Sequence, residues 1–306
     1  MLSSKSIGML SSRLVCTKGD RLLSPPAVRP RFHVASSSSS SSSSSLDPQE
    51  LRHFGRFSAE EWWSEFGPMR PLHALNGLRV PLAVSSVLPG LCSPAEAMPL
   101  KGCSVLDVGS GAGILAEPLA RLGAQVTGLE PVPELVRIAE AHRQQDGFLS
   151  EDNPRYLPLS AEELLHQQQQ QQQQQPGFDL VIASEILEHV SSRESFLRSC
   201  CDLLRPGGAL ILTTINQTWT SYALAIGMAE YVLGIVPPGT HEWAKFTTPE
   251  DLSRILVDQM GLGIRLIHGM RYNPLWNRWS WSQDLSVNYA LVARKPTTAA
   301  FSSSNS

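Results

Sequence analysis

The stretch Ser104-Val-Leu-Asp-Val-Gly-Ser-Gly-Ala-Gly113 decides the fold. A short apolar run enters a glycine-rich turn, and residues 114–122 then have the apolar spacing of a helix, in which Pro118 is expected to make a kink or to mark the first turn. Glycines in such a turn let backbone N–H groups approach a ligand at a helix N-terminus. The spacing is GxGxG. A dinucleotide-binding motif would have its last glycine where Ile114 stands, so a pyrophosphate ligand is disfavoured.

Strand and helix patterns alternate after this turn. Apolar runs predict strands at 125–130, 178–183, 209–214, 264–269 and 287–293, and helical spacing predicts helices at 133–143, 195–204 and after Thr248. The segment 205–208 is expected to be a glycine turn. This order is typical of βαβ units and predicts an α/β fold with a largely parallel, doubly wound sheet.

A carboxylate accompanies the glycine turn. Glu130 ends the next predicted strand, 23 residues beyond Asp107, where a carboxylate can accept hydrogen bonds from both hydroxyls of a ribose. By itself, a GxGxG sequence is as often an ordinary turn as a ligand-binding one. The glycine turn and the terminal acid together predict a site for a nucleoside-bearing cofactor.

Charge is distributed unevenly along the chain. The 306 residues are 42% hydrophobic and carry a net charge of −3, which excludes fibrous and wholly disordered classes. Residues 1–45 hold six basic residues and one acidic residue, a net charge of +5, which leaves −8 for residues 46–306. An acidic body disfavours nucleic acid as a partner. The five cysteines form no CxxC pair, and their odd number does not suggest a disulfide framework, so a reducing compartment fits best.

Low-complexity tracts divide the chain. Residues 1–45 are Arg-containing, Ser-rich and nearly free of acids, which predicts an organelle transit peptide, with an ordinary disordered tail as the alternative. Composition alone does not separate mitochondrion from plastid. Residues 46–296 are predicted to form one domain and 297–306 a disordered tail. The glutamine tract 167–175 is predicted to be an expanded surface loop, with an interaction function as the less favoured alternative.

Two acids and a histidine follow the predicted strand 178–183. On a helical turn Glu185 shares a face with Glu188 and His189, and two carboxylates with an imidazole suit a divalent ion. The alternative is a solvated helix start whose acids favour the positive end of the helix dipole. The cluster comes at the carboxyl end of a strand, where ligands of such folds bind, and this favours a ligand site.

An apolar segment, 219–236, contains one charged residue, Glu230. Its length is at the low edge for a membrane span, and the central acid, the two glycines and the lack of flanking basic residues disfavour one. A buried core helix and an interfacial helix that covers a substrate both fit. The tryptophans Trp276, Trp279 and Trp281 fit either a core or a second apolar contact.

These motifs resemble a known family. The stretch 105–113 looks like the cofactor motif of class I S-adenosylmethionine-dependent methyltransferases, and Leu204-Arg-Pro-Gly-Gly208 resembles their later signature. Within that class the chain is similar to the ubiquinone biosynthesis O-methyltransferases from about Phe57 to Pro296. The similarity is carried by the ordered motifs at 70–79, 184–190, 239–246, 269–274 and 284–289. It implies the Rossmann-like class I fold, with a mostly parallel seven-stranded sheet and helices on both faces.

The resemblance also implies roles for residues at matching positions. Arg79, Gly109, Glu130 and Ser184 are expected to contact S-adenosylmethionine. Glu185, Glu188 and His189 are expected to bind Mg²⁺, with Glu185 and His189 as the catalytic residues and a general-base role as the alternative for His189. This chain departs from the family at Glu130, where Asp is common, and at Ser110, where Cys is common.

The implied reaction is methylation of catechol-type hydroxyls on polyprenyl-dihydroxybenzoate and on demethylubiquinol. Because polyprenyl tails partition into lipid, the resemblance favours an interfacial role for 219–236 and implies peripheral attachment to the matrix side of the mitochondrial inner membrane. Other ubiquinone-synthesis enzymes, in a membrane-associated complex, are the expected partners. The alternatives are a methyltransferase for another phenol and a non-catalytic, cofactor-binding scaffold; the missing last glycine disfavours a nicotinamide oxidoreductase.

Overall fold

The computed structural model describes residues 55, 57–87, 98–171, 176–218 and 247–297. All of them belong to one unit of the chain, residues 33–306. The predictions for residues 1–45 and for the apolar segment 219–236 lie outside the described residues, as does nearly all of the predicted C-terminal tail. The domain boundaries therefore stay predictions.

One mixed sheet of eight strands organises the described residues, in the order β3-β2-β1-β4-β5-β8-β6-β7. The strands are β1 Ser104–Val108, β2 Gln125–Leu129, β3 Arg155–Leu157, β4 Phe178–Ser184, β5 Leu204–Ile215, β6 Gly263–Asn273, β7 Arg278–Ser282 and β8 Asn288–Arg294. Strands β1 to β5 are parallel, and β8, β6 and β7 add three antiparallel pairs. The largely parallel Rossmann-like sheet is confirmed.

The predicted count of seven strands is wrong by one. Strand β6 does not end near Gly269 but continues to Asn273, and the chain then turns back as β7. Tyr272 pairs with Trp279 across this hairpin. Alternating aromatic and polar residues suit a half-buried edge strand, and that pattern in 278–282 is the signal for the additional strand.

Within the described ranges, seven α-helices connect and flank the strands. They are α1 Ala59–Trp63, α2 Arg70–Val87, α3 Ala116–Arg121, α4 Pro133–Gln145, α5 Ala161–Gln170, α6 Arg193–Asp202 and α7 Pro249–Arg254. The strand order runs from β1 outward in both directions, so right-handed crossovers place the connecting helices on opposite faces of the sheet. The described helices include none long and apolar enough to cross a membrane.

Local chemistry explains where two of the helices begin. The hydroxyl of Thr248 caps α7, the helix that the sequence predicts after Thr248. Helix α3 begins at Ala116, two residues later than predicted, and Pro118 lies in its first turn, where a missing N–H removes no helical hydrogen bond.

The glutamine tract is not wholly a loop. Gln167–170 continue α5, so the loop prediction is wrong for these four residues, and 172–175 lie outside the described residues. Ser160 and Glu163 form a capping box at the start of α5, and glutamine has a good helix propensity, so the helix extends into the tract.

The predicted glycine turn at 205–208 lies within β5. Phe178 pairs with Leu204, and Leu180 with Ala209, so residues 205–208 of β5 lie opposite a single residue of β4 and form a bulge. The conformation of Gly207, with φ +78°, accommodates this bulge.

Candidate active site

The carboxyl edge of the parallel strands gathers the sequence-predicted site residues. Strands β1, β2 and β4 are paired in parallel, so their carboxyl ends meet at one edge of the sheet. Gly109 follows β1, Glu130 follows β2, and Ser184 ends β4. This is the edge at which ligands bind in open α/β sheets.

The glycine turn is packed so closely that it excludes side chains. Gly109 has φ +71°, and a Cβ there would lie 2.4 Å from Cδ1 of Ile186. Gly113 has φ +92°, and a Cβ there would lie 2.3 Å from the hydroxyl oxygen of Tyr156. The turn is tied to β2, because the N–H groups of Gly109 and Ser110 both donate to the carbonyl of Leu129. The glycines therefore set the shape of the turn.

Glu130 closes the turn from the β2 side. Its Oε2 accepts a hydrogen bond from the N–H of Gly111 and its Oε1 one from the N–H of Val132, each at 3.0 Å. Burial raises the pKa of Glu130 to about 7, and the two backbone hydrogen bonds oppose this shift. A carboxylate oxygen has two acceptor sites, so Glu130 can still accept hydroxyl donors from a ribose.

Arg79, on α2, reaches the end of β4. Its Nη1 donates to Oγ of Ser184 at 3.0 Å, and its other guanidinium nitrogens donate to Oδ1 of Asn76 and to the carbonyl of Leu72. The Nδ2 of Asn76 donates to the carbonyl of Ile114, at the exit of the glycine turn. Helix α2 thus ties two of the residues expected to contact the cofactor, Arg79 and Ser184, to the glycine turn.

Charges around this network are deeply buried. Burial raises the pKa of Asp107 to about 7, and the positive charge of Arg79 opposes the shift. Burial also lowers the pKa of Arg79 to about 10, and the negative charges of Asp107 and Glu185 oppose that shift. The neighbourhood therefore has more potential negative charge than positive charge and favours a cationic ligand.

Several buried polar atoms near this edge have no hydrogen-bond partner among the described residues. They are Oδ2 of Asp107, Oγ of Ser110, the hydroxyl of Tyr156 and Oε1 of Glu185. Leaving a buried polar atom unpaired is costly, and such atoms are rare in folded proteins. Their concentration around the glycine turn and the end of β4 fits a site for a polar, nucleoside-bearing cofactor.

The acidic cluster after β4 differs from the predicted helical turn. Glu185 has a left-handed backbone, φ +55°, and only Leu187–His189 form one turn of 3-10 helix. A left-handed conformation is strained for a residue with a Cβ, and such strain occurs mostly at functional sites. The solvated-helix alternative does not fit, because Glu188 is buried.

Two carboxylates of the predicted metal site are close enough to interact. Burial raises the pKa of Glu185 to about 7, with a further increase from the negative charge of Glu188. Oε2 of Glu188 accepts a hydrogen bond from Thr214 at 2.8 Å, which orients this carboxylate. Within the described part of the chain, however, no three His, Cys, Asp or Glu side chains are arranged to hold a metal ion. Two carboxylates therefore lie together at the end of β4, and among the described residues His189 does not complete a preformed group of three with them.

Helix α1 covers the glycine turn. The ring of Trp62 would lie 3.2 Å from a Cβ at Gly111, and the ring of the next residue, Trp63, stacks on His142 with centroids 3.3 Å apart. Nδ1 of His142 contacts the fully buried carboxylate of Glu117, 2.8 Å away. These contacts anchor α1 over the loop that is expected to bind the cofactor.

Sequence reasoning missed the residues that support the site. They are Trp62, Asn76, Tyr156, Thr213 and Thr214. The two threonines carry a recognisable signal, since a polar pair ends the apolar strand β5 at the ligand-binding edge. Oγ1 of Thr213 lies 2.8 Å from Oγ of Ser184. The other three act across long sequence separations, and no local pattern predicts them.

Comparisons with known proteins agree with this architecture. Residues 83–265 match a family described as "Methyltransferase domain". Among solved structures, magnesium protoporphyrin IX methyltransferase from Synechocystis, with bound SAM, is similar with a TM-score of 0.51 and 18% identity, over 81% of this chain and 95% of that one. This similarity shows the class I methyltransferase fold.

Curated relatives define the family more narrowly. The mitochondrial ubiquinone biosynthesis O-methyltransferase of Mus musculus is 43% identical over 81% of this chain and 65% of that protein, and the human one is 43% identical over 82% and 66%. The ubiquinone biosynthesis O-methyltransferase of Methylobacterium sp. (strain 4-46) is 42% identical over 82% of this chain and 96% of that protein. The match thus spans just under two thirds of the mouse and human relatives and almost the whole bacterial one. The chain belongs to the ubiquinone biosynthesis O-methyltransferase family of S-adenosylmethionine-dependent methyltransferases.

Proposed function

We propose that this protein is the S-adenosylmethionine-dependent O-methyltransferase of ubiquinone synthesis that methylates catechol-type hydroxyls of polyprenyl-dihydroxybenzoate and of demethylubiquinol. The observation that carries the proposal is the cluster of buried, unpartnered polar atoms at the carboxyl edge, in a chain of this family. The names of the relatives support the substrate class.

The chain's own residues divide the work at this edge. The glycine turn at Gly109 and the carboxylate of Glu130 bind the nucleoside part of S-adenosylmethionine, which supplies the methyl group as a cationic sulfonium. Arg79 holds Ser184 in place beside it. Because Asp107 and Glu185 are buried near a cationic ligand, binding of that ligand favours their ionised forms. The site then has only to align the acceptor hydroxyl with the methyl group.

We further propose that Glu185, Glu188 and His189 hold Mg²⁺. Support comes from the unpartnered buried oxygen of Glu185 and from Thr214, which orients Glu188. A divalent ion there would stabilise the catecholate form of the acceptor. Glu185 and Glu188 supply the acidic ligands. His189 acts as the third ligand or, in the alternative, as the general base that accepts the hydroxyl proton.

For location and partners we propose peripheral attachment to the matrix side of the mitochondrial inner membrane, within a membrane-associated complex of ubiquinone-synthesis enzymes. The names of the eukaryotic relatives and the composition of residues 1–45 support the compartment. Carbonate extraction of purified mitochondria tests the attachment. Release into the supernatant is expected, and retention in the membrane pellet would contradict a peripheral association.

The activity test uses the full chain, S-adenosylmethionine, Mg²⁺ and either a water-soluble catechol or a prenylated one in vesicles. Methylated product is expected from both, and Glu185→Gln should lower turnover on the order of a hundredfold. Glu151→Gln, at an exposed acid, is the matched control and should turn over normally. Cofactor binding without product from any catechol would favour the scaffold alternative, and methylation of unrelated phenols alone would favour a different acceptor. Full activity in a chelator, together with inactive His189→Ala, would overturn the metal proposal in favour of a base.

A further inference from the structure

The β6–β7 hairpin ends in an exposed apolar tip, defined here as Leu275 and Trp276. Leu275 is 85% exposed and Trp276 is 78% exposed. The tryptophans of the adjoining strand β7 are less exposed than Trp276. Trp279 packs on Tyr272 and donates its indole N–H to the carbonyl of Pro71. The first residues of β7 are therefore attached to α2, while the tip projects into solvent.

The tip projects from the same edge of the sheet as the candidate active site. Strand β6 runs antiparallel to β8, and β8 runs antiparallel to β5, so β6 and β5 point the same way. Asn288 pairs with both Ile215 of β5 and Met270 of β6, which places these two residues at one level. Asn273 lies three residues further on, so the tip begins roughly 10 Å beyond the end of β5.

Polar contacts within the hairpin hold the tip in this conformation. Oδ1 of Asn273 accepts hydrogen bonds from the backbone N–H groups of Leu275 and Trp276. The hydroxyl of Tyr272 donates to Oδ1 of Asn277 at 2.8 Å, and Asn277 has a left-handed backbone, φ +43°. A preformed tip loses little conformational entropy when it binds.

The charge around the tip is opposite to that of the protein body. The segment 261–283 contains three arginines and no acidic residue, whereas residues 46–306 as a whole carry −8. Exposed Arg271 and Arg278 border the turn, and Asp284 partly offsets the charge of Arg271. A leucine and a tryptophan between arginines suit the interface of an anionic bilayer, where the indole ring sits at headgroup level and the guanidinium groups contact lipid phosphates.

We infer that Leu275 and Trp276 insert into the surface of an anionic membrane and that Arg271 and Arg278 bind its headgroups. The inference rests on the proposed function for its purpose: it would turn the carboxyl edge, where the methyl transfer takes place, toward the bilayer that holds a prenylated acceptor. The surface itself is defined by exposure, position and charge, independently of the chemistry.

Sedimentation of the full chain with lipid vesicles tests the inference. Phosphatidylcholine vesicles with and without phosphatidylglycerol are the two probes. Leu275→Ser with Trp276→Ser should weaken binding to the anionic vesicles by at least about tenfold. Arg271→Gln with Arg278→Gln should lower the ratio of affinities for anionic over neutral vesicles by roughly tenfold to thirtyfold. Thermal unfolding of both double variants should match that of the unmodified protein, because these side chains lie outside the core.

Phe148→Ser is the matched control. Phe148 is 92% exposed and lies between α4 and β3, at the opposite edge of the sheet. Unchanged vesicle binding by the tip variant, or an equal loss in the Phe148→Ser variant, would overturn the inference. The inference would also be overturned if light scattering showed that the tip joins two copies of the protein into a dimer and the protein did not bind vesicles. Methylation of the water-soluble catechol should be normal in the tip variants. If the unmodified protein fails to methylate this catechol, the proposed function is refuted. The vesicle experiment would still show whether the tip binds membranes.

Discussion

Substituting Gly109 by alanine separates two constraints on the glycine turn. The first is the backbone, since φ +71° is left-handed and disfavoured for any residue with a Cβ. The second is space, since the new Cβ would lie 2.4 Å from Cδ1 of Ile186. Gly261 has φ +67° and no atom within 4 Å of such a Cβ, so Gly261→Ala has the backbone constraint alone.

The expected magnitudes follow from these two constraints. A left-handed alanine costs about 1 to 2 kcal/mol, and this is the whole effect expected of Gly261→Ala. Overpacking against Ile186 adds about 1 to 3 kcal/mol, so Gly109→Ala should lower the free energy of unfolding by about 2 to 5 kcal/mol. Valine at position 186 lacks the Cδ1 atom. Ile186→Val should therefore be about 1 kcal/mol destabilising by itself and should offset part of the damage in the double variant.

Urea unfolding of the four variants and the unmodified protein, all without ligand, measures these quantities. Calorimetric titration with S-adenosylmethionine measures the consequence for binding. Gly109→Ala should bind the cofactor at least about tenfold more weakly, because the turn must shift to admit the methyl group, and Ile186→Val should restore part of the affinity. If Gly109→Ala is no more destabilising than Gly261→Ala, or if Ile186→Val gives no relief, the close-packing explanation of the turn is wrong.

Three further predictions concern groups buried at the site. The folded-state pKa of Asp107, about 7, exceeds its usual 3.8, so the folded chain keeps a proton that the unfolded chain releases, and ligand-free stability should fall between about pH 4 and 7. In Asp107→Asn, the fall in the free energy of unfolding over this pH range, measured with urea, should be smaller by an amount on the order of 1 to 3 kcal/mol. An unchanged pH dependence would count against a buried acid at position 107. Thr214→Val removes the donor to Glu188 and should weaken the apparent Mg²⁺ affinity about tenfold in activity titrations, whereas an unchanged metal dependence would show that this hydrogen bond does not support the site. Tyr156→Phe removes an unpartnered buried hydroxyl, so thermal and urea unfolding should show stability unchanged or raised within about 1 kcal/mol, and a loss above about 2 kcal/mol would reveal a partner for the hydroxyl.

The parallel half of the fold was predictable because its signals are local. Strands buried on both faces read as apolar runs, and β1, β2 and β4 lie close to their predicted ranges. The carboxyl ends of parallel strands share one edge, so Gly109, Glu130 and Ser184 could be placed together without coordinates. Strand β7 was harder to predict, because its alternating pattern covers only five residues at the edge of the sheet.

Conformations that depend on distant packing were not predictable. Glu185 adopts φ +55° and interrupts the helical spacing on which its alignment with Glu188 and His189 was predicted. The packing of Tyr156 against Gly113 joins two segments of unrelated sequence. Helix α5 was not predicted, and it extends past the point where the glutamine tract suggested a loop.

The buried carboxylates connect the stability of this fold to its function. Asp107, Glu130 and Glu185 each have a pKa raised to about 7 mainly by burial, and Asp107 and Glu185 each also have a buried oxygen without a partner among the described residues. In the ligand-free chain these features oppose folding, since burying charge or leaving a polar atom unpaired is unfavourable. A cationic cofactor and a divalent ion would supply the missing partners. The residues that lower the stability of the ligand-free protein are therefore the same residues that would favour ligand binding. A substitution that stabilises the ligand-free protein at these positions is expected to lower the affinity for the ligands.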